Sequence, residues 1–196
     1  DAEADRLIAQ LSTPELLGLL DGDLPQWKGL REIARVDYYS PIRSGAVARL
    51  GVPGIRFTDG PRGVLIGNAT SFPVAIGRAA TWDPELEERV GAALGVEARA
   101  LGANLFAGIC VNLVRHPGWG RAQESYGEDP LLLSAMGAAV VRGASPHVMT
   151  CIKHFALNSI ENARFKVDVQ VDEHVLHEVY LPHFKAGIDA GGGLAL

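Results

Sequence analysis

Residues 83–112, DPELEERVGAALGVEARALGANLFAGICVN, pass from one periodicity to another and decide the fold. Asp83-Pro84 reads as a helix start, an Asp in the cap position followed by a Pro whose missing N–H is not needed in the first turn. Leu86, Val90, Ala93, Leu94, Ala98 and Leu101 then form one apolar stripe at helical spacing, with Glu85 and Arg89 four residues apart on the other side. Gly102 stops the helix. Asn104 to Asn112 is nearly continuous apolar sequence, as a strand covered on both faces would be.

The same alternation extends outward. Upstream, Ile55-Arg56-Phe57-Thr58 is a short alternating strand that ends in Asp59-Gly60-Pro61-Arg62-Gly63, a loop by its turn chemistry. Downstream, Asp129-Pro130 opens a helix with Leu132, Met136 and Val140 on one side and Gly143 at its end, and His147 to Phe155 is a second buried strand. Asp172 caps a helix running to about Ala190, with Val175, Val179, Phe184 and Ile188 facing inward and Pro182 bending it. At the N-terminus, Thr13 caps a helix through Pro14, Glu15 and the leucines 16, 17, 19 and 20, whereas residues 21–50 are irregular, broken by Gly22, Pro25, Gly29, Pro41 and Gly45.

Strand, helix, strand, helix at this spacing predicts a parallel sheet with crossover helices. The unusual polar residues follow the strands: Asp59 after the first, Arg115 to Arg121 after the next long one, Lys153-His154 at the end of the last. A (β/α)₈ barrel keeps its active site there. About four strands are present, and a complete barrel takes about 250 residues, so the fold class is α/β, a partial (β/α)₈ TIM-type barrel. Residues 1–50 are the N-terminal helix and irregular lead-in, and residues 51–196 the first part of the barrel domain.

Composition narrows the function. The chain is 47% apolar with a net charge of −5 and no Lys/Arg cluster, which disfavours disorder, nucleic acid and anionic membrane surfaces. No apolar run approaches the roughly 18 residues needed to span a bilayer. The acidic N-terminus, Asp1 to Asp5, lacks the basic and apolar regions of a secretory signal, an expectation toward the cytoplasm, although Asn68-Ala69-Thr70 fits a glycosylation sequon. Cys110 and Cys151 sit in strand-like apolar runs and are expected as buried thiols.

Nucleotide and metal signatures are missing. Gly118-Trp119-Gly120 begins like a dinucleotide fingerprint, but Gln123 stands where the third Gly is required. His174, His177 and His183 share one predicted helix without a third ligand, and read as polar decoration of its surface. No metal and no cofactor is therefore expected. Lys153 and His154 are sharper: both reach a site only if the strand ends there, and both would then donate to hydroxyls of an uncharged ligand. Alternatively Lys153 snorkels and His154 is a satisfied near-core group. Asp59 is a ligand group or a turn-forming Asp. Trp119-Gly120-Arg121 joins an aromatic plate to a guanidinium, a combination suited to a pyranose.

Together these segments resemble family 3 glycoside hydrolases. Phe57-Thr58-Asp59-Gly60-Pro61-Arg62-Gly63-Val64 is similar to the family's S/T-D-G-P-x-G-V segment. His116-Pro117-Gly118-Trp119-Gly120-Arg121 with Glu124-Ser125-Tyr126-Gly127-Glu128-Asp129-Pro130 resembles W-G-R…E-S-F-G-E-D-P. Lys153-His154-Phe155-Ala156 with Glu161 and Arg164 resembles K-H-F-A…E…R, and Asp172 to Phe184 resembles V-D-E-R-x-L-R-E-x-Y-L-P-x-F. The likeness is collinear from about residue 50 to residue 190.

The resemblance implies a pocket in which Asp59, Arg121, Lys153, His154 and Arg164 hold a terminal sugar's hydroxyls. It also implies an exo-acting, retaining β-glycosidase, β-glucosidase-like, whose substrate is a β-glucoside or related carbohydrate. Retention needs two carboxyl groups roughly 5–5.5 Å apart, one attacking and one protonating the leaving oxygen. The family takes an Asp nucleophile from the barrel and a Glu acid/base from the next domain, so further domains of the same protein are expected. No catalytic residue is identified within the chain, and a sugar-binding module without catalysis is the alternative. Three departures stand out. Leu65 occupies a position where the family often has Arg, removing one expected hydroxyl contact, and Gly192-Gly193-Leu194-Ala195-Leu196 replaces the family's M-x-x-Y strand, with no S-D-W segment anywhere.

Overall fold

The computed structural model describes residues 1–22, 28, 31 and 39–196. Two short helices, α1 (Ala2–Ile8) and α2 (Thr13–Gly18), lead into strand β1 (Ile42–Ser44), which pairs antiparallel with β2 (Ile55–Thr58). Helices α3 (Ala75–Ala79) and α4 (Pro84–Ala100) connect β2 to β3 (Leu105–Cys110), and α5 (Pro130–Ala144) connects β3 to β4 (Met149–Lys153). A short turn of helix α6 (Glu173–Val175), a π-helical segment (Leu176–Tyr180) and α7 (Pro182–Asp189) lead to β5 (Leu194–Ala195). From β2 onward every neighbouring pair is parallel and the order β2-β3-β4-β5 follows the chain without reversal. An unbroken order of this kind winds in one direction, as a barrel wall does, and not in two directions from a switch point.

At α4 and α5 the helix caps behave as their sequences predict. The Asp83 carboxylate accepts from the Leu86 N–H at 2.9 Å and the Asp129 carboxylate from the Leu131 N–H at 2.8 Å, each just before a Pro. At α2 the cap is Ser12, one residue before the expected Thr13, with Glu15 reaching back to the Ser12 N–H at 2.8 Å in a capping box. Within residues 21–50 a strand, β1, and a 3₁₀ turn (Ala48–Leu50) occur where irregular chain is expected; Pro25 and Gly29 lie outside the described residues.

Helices α4 and α5 pack closer than their apolar stripes suggest. A Cβ on Gly143 would lie 2.0 Å from the Glu88 carbonyl oxygen, and one on Gly91 would lie 2.4 Å from the Val140 carbonyl oxygen. Gly143 lies in the last turn of α5, at the end expected from sequence, and is also a contact point with α4. Small residues bring the two backbones together, and Ala93, expected inward, is left exposed.

The third crossover is also built differently from the single bent helix expected. The helix is interrupted by the π segment, and Pro182 starts α7 instead of kinking a longer helix. Ile188 turns out to be exposed, and His183 is buried against Phe184, 4.9 Å between ring centroids. Burial moves the His183 imidazole down to about 4. His183 is therefore a neutral core group, unlike the surface position predicted for it, whereas His174 and His177 are exposed.

The sheet separates two apolar clusters. Phe106, Ile109, Val111 and Ile152 pack on one face with Leu94, Leu133, Met136 and Val140 from the helices. Ile55, Phe57, Leu105, Ala107 and Cys151 form a smaller cluster on the other face, the side a closed barrel would enclose. Side chains alternate along a strand, so Asp59, two residues after Phe57, and Lys153, two after Cys151, are directed to that second face at the strands' C-terminal ends.

Candidate functional site

In β3 the alternation is interrupted. Phe106 pairs with Thr150 and Ile109 with Ile152, three residues on β3 against two on β4, so β3 carries one extra residue. Such a bulge reverses which face every following side chain takes. After it, Ile109 joins the helix-side cluster with Ile152, and Cys110 lies opposite Lys153. Asn112, two residues further, is consequently directed to the same end of the sheet as Lys153.

The loop after β2 places Asp59. Gly60 has φ +124° and a Cβ there would meet the Gly63 carbonyl oxygen at 1.7 Å; Gly63 has φ +151° and a Cβ there would meet the Thr70 carbonyl oxygen at 2.0 Å. Only Gly is compatible with both the backbone angles and the close approaches, which gives the D-G-P-x-G spacing a mechanical reason. The Leu65 N–H closes the loop on the Asp59 carbonyl at 3.0 Å. Beneath it, Arg78 donates to the Pro61 and Pro73 carbonyls and forks onto Glu87 at 2.8 and 3.0 Å, and the Tyr126 hydroxyl donates to Glu87 at 2.6 Å.

On the mouth side, Asp59 Oδ1 accepts from Lys153 Nζ at 2.5 Å and from the Gly60 N–H at 2.7 Å. The Lys153 side chain is 3% exposed and that of Asp59 32%. Both donors converge on a single carboxylate oxygen. No donor among the described residues engages Oδ2, which is not a sealed atom either.

His154 follows immediately, after the strand has ended at Lys153; the Lys153–His154 peptide is cis. Its backbone N–H and its ring Nδ1 both lie 2.8 Å from Asn112 Oδ1. Burial, with the positive charges of Arg121, Lys153 and Arg164 behind it, pulls the His154 imidazole down to about 3. The ring is neutral at any ordinary pH. Burial likewise pushes the Cys110 thiol up to about 12 and the Cys151 thiol to about 11, so neither is a thiolate nucleophile near neutrality.

Arg121 forks onto Glu124 at 2.8 and 2.7 Å and lies 3.9 Å from Glu161; the Glu124 contact raises it further above the usual arginine value. Arg164 meets Glu161 at 3.4 Å from the rim. Glu161 thus ties Arg121 to Arg164, while Asp59 is tied to Lys153, and His154 feels all three cations. A cleft of about 480 Å³ is lined by His154 and Arg164 together with Phe155, Asn158, Val167 and Val169; Asp59, Arg121 and Lys153 border the same end of the sheet without lining it.

Trp119 is the exception. It is 5% exposed, with its indole N–H buried and unpartnered, and so is not the open aromatic plate predicted for it. Two residues escaped the sequence reading as parts of the candidate site, Asn112 and Glu124, and so did the bridging position of Glu161. A polar residue closing the apolar run of β3 was the available signal for Asn112, and the i,i+3 spacing to Arg121 the signal for Glu124. Chemically the group offers ammonium and guanidinium donors, a free carboxylate oxygen and a neutral imidazole. These suit an uncharged, hydroxyl-rich ligand. No group of three or more His, Cys, Asp or Glu side chains among the described residues is arranged to hold a metal ion.

Comparison with known proteins shows the family. The profile of the glycosyl hydrolase family 3 N terminal domain matches residues 7–195. A β-glucosidase of Rhizobium radiobacter is 38% identical over 196 residues, covering 96% of this chain and 22% of its own length. The thermostable β-glucosidase B of Acetivibrio thermocellus is 38% identical over 197 residues, covering 93% and 24%. Among solved structures, β-glucosidase 3B of Thermotoga neapolitana in complex with α-D-glucose superposes with a TM-score of 0.85 at 35% identity, over 95% of this chain and 27% of that one. The chain therefore spans about a quarter of the length of the relatives it matches. Its parallel sheet is a stretch of a TIM-type barrel wall, with the polar cluster at the strands' C-terminal ends, and the chain belongs to glycosyl hydrolase family 3, in that family's N-terminal domain.

Proposed function

We propose that this chain is the glycone-binding part of a retaining, exo-acting β-glycosidase of β-glucosidase type, and that residues 51–196 form the first part of its barrel behind a lead-in of residues 1–50. The observation that carries this reading is the division of labour on Asp59. Oδ1 is held by Lys153 and Gly60, which fixes the carboxylate, and Oδ2 is left to accept from a ligand hydroxyl. Arg121, Lys153 and Arg164 supply donors around His154, whose neutral ring adds no charge to a neutral sugar's site.

A pair of catalytic carboxylates is not what the acidic residues offer. Asp59 is neutralised by Lys153, and Glu161 sits between Arg121 and Arg164, an environment that binds and orients instead of attacking or protonating. The nucleophile and the acid/base of a retaining mechanism are accordingly assigned to other parts of the protein. The test is aryl β-glucoside hydrolysis. The intact protein is expected to turn over, with the anomeric configuration retained in the first product by NMR, and the 196-residue chain alone to be inactive. Turnover by the purified 196-residue chain that vanishes in Asp59→Ala would overturn the assignment, as would inversion in the intact protein.

A further inference from the structure

Asn112 is a polar residue 3% exposed at the end of an apolar strand, and both polar atoms of its side chain are engaged. Oδ1 faces the His154 backbone N–H at 2.8 Å, the His154 ring Nδ1 at 2.8 Å and the Cys110 thiol at 3.3 Å. Nδ2 donates to the Asn158 carbonyl at 2.9 Å, and the Asn112 carbonyl accepts from Ser125 Oγ.

Oxygen and nitrogen of an amide are interchangeable in shape, so the network must fix which is which. Here two backbone groups do so independently. A backbone N–H can only donate, so the atom facing His154 N must be the oxygen. A carbonyl can only accept, so the atom facing Asn158 O must be the nitrogen. Turning the amide over would set donor against donor at one end and acceptor against acceptor at the other. With Oδ1 so placed, the ring nitrogen beside it has to be the protonated one. A neutral imidazole carries a single N–H, so Nε2 is left with its lone pair.

We propose that Asn112 is a positioning residue that locks His154 as the Nδ1–H tautomer, so that Nε2 accepts a hydrogen bond from a ligand hydroxyl in the cleft. His154 lines that cleft, and its Nε2 neither bonds to a described residue nor belongs to the sealed, unpartnered atoms. This reverses the direction expected from the sequence, where Lys153 and His154 were both donors. The pair instead splits its roles: Lys153 donates and His154 accepts. The charged and titratable groups facing the ring, Arg121, Lys153 and Arg164 with Glu161 between two of them and the Cys110 thiol beside Asn112, leave the imidazole neutral. A lone pair on Nε2 is thereby available throughout the ordinary pH range. The bulge in β3 is what lets Asn112 reach the ring at all.

The ligand's identity as a sugar rests on the function proposed above, but the tautomer does not. Intact protein labelled with ¹⁵N-histidine, examined by two-bond ¹H–¹⁵N correlation, reads it directly, with His154 assigned as the signal lost in His154→Gln. The Nδ1–H pattern, unchanged between pH 8 and pH 5, is expected. An Nε2–H pattern, or one averaged between tautomers, would overturn the proposal. At pH 8 Asn112→Asp, which keeps the acceptor and gives up the donor to the Asn158 carbonyl, should preserve the pattern, and Asn112→Leu should lose it; retention of the pattern in Asn112→Leu removes Asn112 from the role. Should Asn112→Leu fail to fold, the wild-type spectrum and Asn112→Asp still decide. With glucose as the probe, Asn112→Leu should weaken binding roughly tenfold, the worth of about one hydrogen bond, and Asn112→Asp much less. Absence of glucose binding in the wild type would count against the proposed function and leave the tautomer result standing.

Discussion

Two clusters of charge are attached to the same short loop, Asp59–Gly63, and they differ in how completely they are satisfied. Arg78 and Glu87, 5% and 0% exposed, are joined through two hydrogen bonds, and what remains of each is taken by the Pro61 and Pro73 carbonyls and by Tyr126. Nothing is left over for a ligand. The Tyr126 phenol is so enclosed that burial, with the Glu87 charge beside it, pushes it well above its ordinary range. Asp59 and Lys153 form an ion pair of similar chemistry, yet one carboxylate oxygen stays open at the mouth. Closure of every valence marks scaffold, and the open carboxylate oxygen is the feature on which the proposed sugar contact rests.

The largest effect that could break this contrast comes from the buried pair. Arg78→Ala leaves the Glu87 carboxylate enclosed without its partner, which costs about 3–5 kcal/mol. For a domain of this size that is roughly 6–20 °C of melting temperature. The kcat/KM per folded molecule should change little. If Arg78→Ala cuts kcat/KM as deeply as a change at Asp59 does, the division between scaffold and site fails.

Asp59 provides the next effect. Asp59→Ala removes a charge-assisted acceptor worth about 1.5–3 kcal/mol, so kcat/KM of the intact protein should fall by about ten- to a hundredfold, and Asp59→Asn, which keeps one acceptor, should lose less. Because Lys153 is nearly enclosed, Asp59→Ala should also lower the melting temperature. Lys153→Met separates the two quantities. It replaces an enclosed ammonium by an apolar chain and leaves a half-open carboxylate, so stability should stay within about 1 kcal/mol while kcat/KM drops. Steady-state kinetics beside melting curves measures both. A stability loss in Lys153→Met with kinetics unchanged would make this pair scaffold too.

The smallest effect is a slope against pH. The imidazoles of His154 and His183 lie at about 3 and about 4 in the folded chain, below the ordinary histidine value near 6.5, and burial is the leading cause in both. Between those values the unfolded chain binds protons that the folded one refuses, so their contribution to stability is present above pH 6.5 and is lost as pH falls toward 3. His183→Gln should flatten the decline in melting temperature between pH 6.5 and pH 4 without altering glucose binding. An unchanged slope would show that His183 does not carry it.

Much of this was legible in the sequence because the relevant physics is local. Ile55–Thr58 alternates, Asp83 and Asp129 stand in cap positions before Pro, and the apolar run of β3 needs no knowledge of its neighbours. The parts that were not legible depend on partners distant in sequence. Glu87 lies among Glu85, Glu88 and Arg89 and reads as solvent face until Arg78 and Tyr126 are found enclosing it. His183 reads as surface decoration on a uniform helix, and the π segment before Pro182 sets a different phase. Asn112 was hidden by counting. Strict alternation from Leu105 assigns it to the helix side, and only the pairing of β3 with β4 reveals the extra residue that turns it over.

That extra residue sets the facing of the mouth by length and not by letter. Deleting one residue at Ala107 or Gly108 would remove the bulge and leave Ile109 opposite Ile152 and Cys110 opposite Lys153 under strict alternation. Asn112 would still face the mouth, so a strand one residue shorter could keep the same hydrogen-bonding rim, whereas the strand at its present length keeps that rim only by staying bulged.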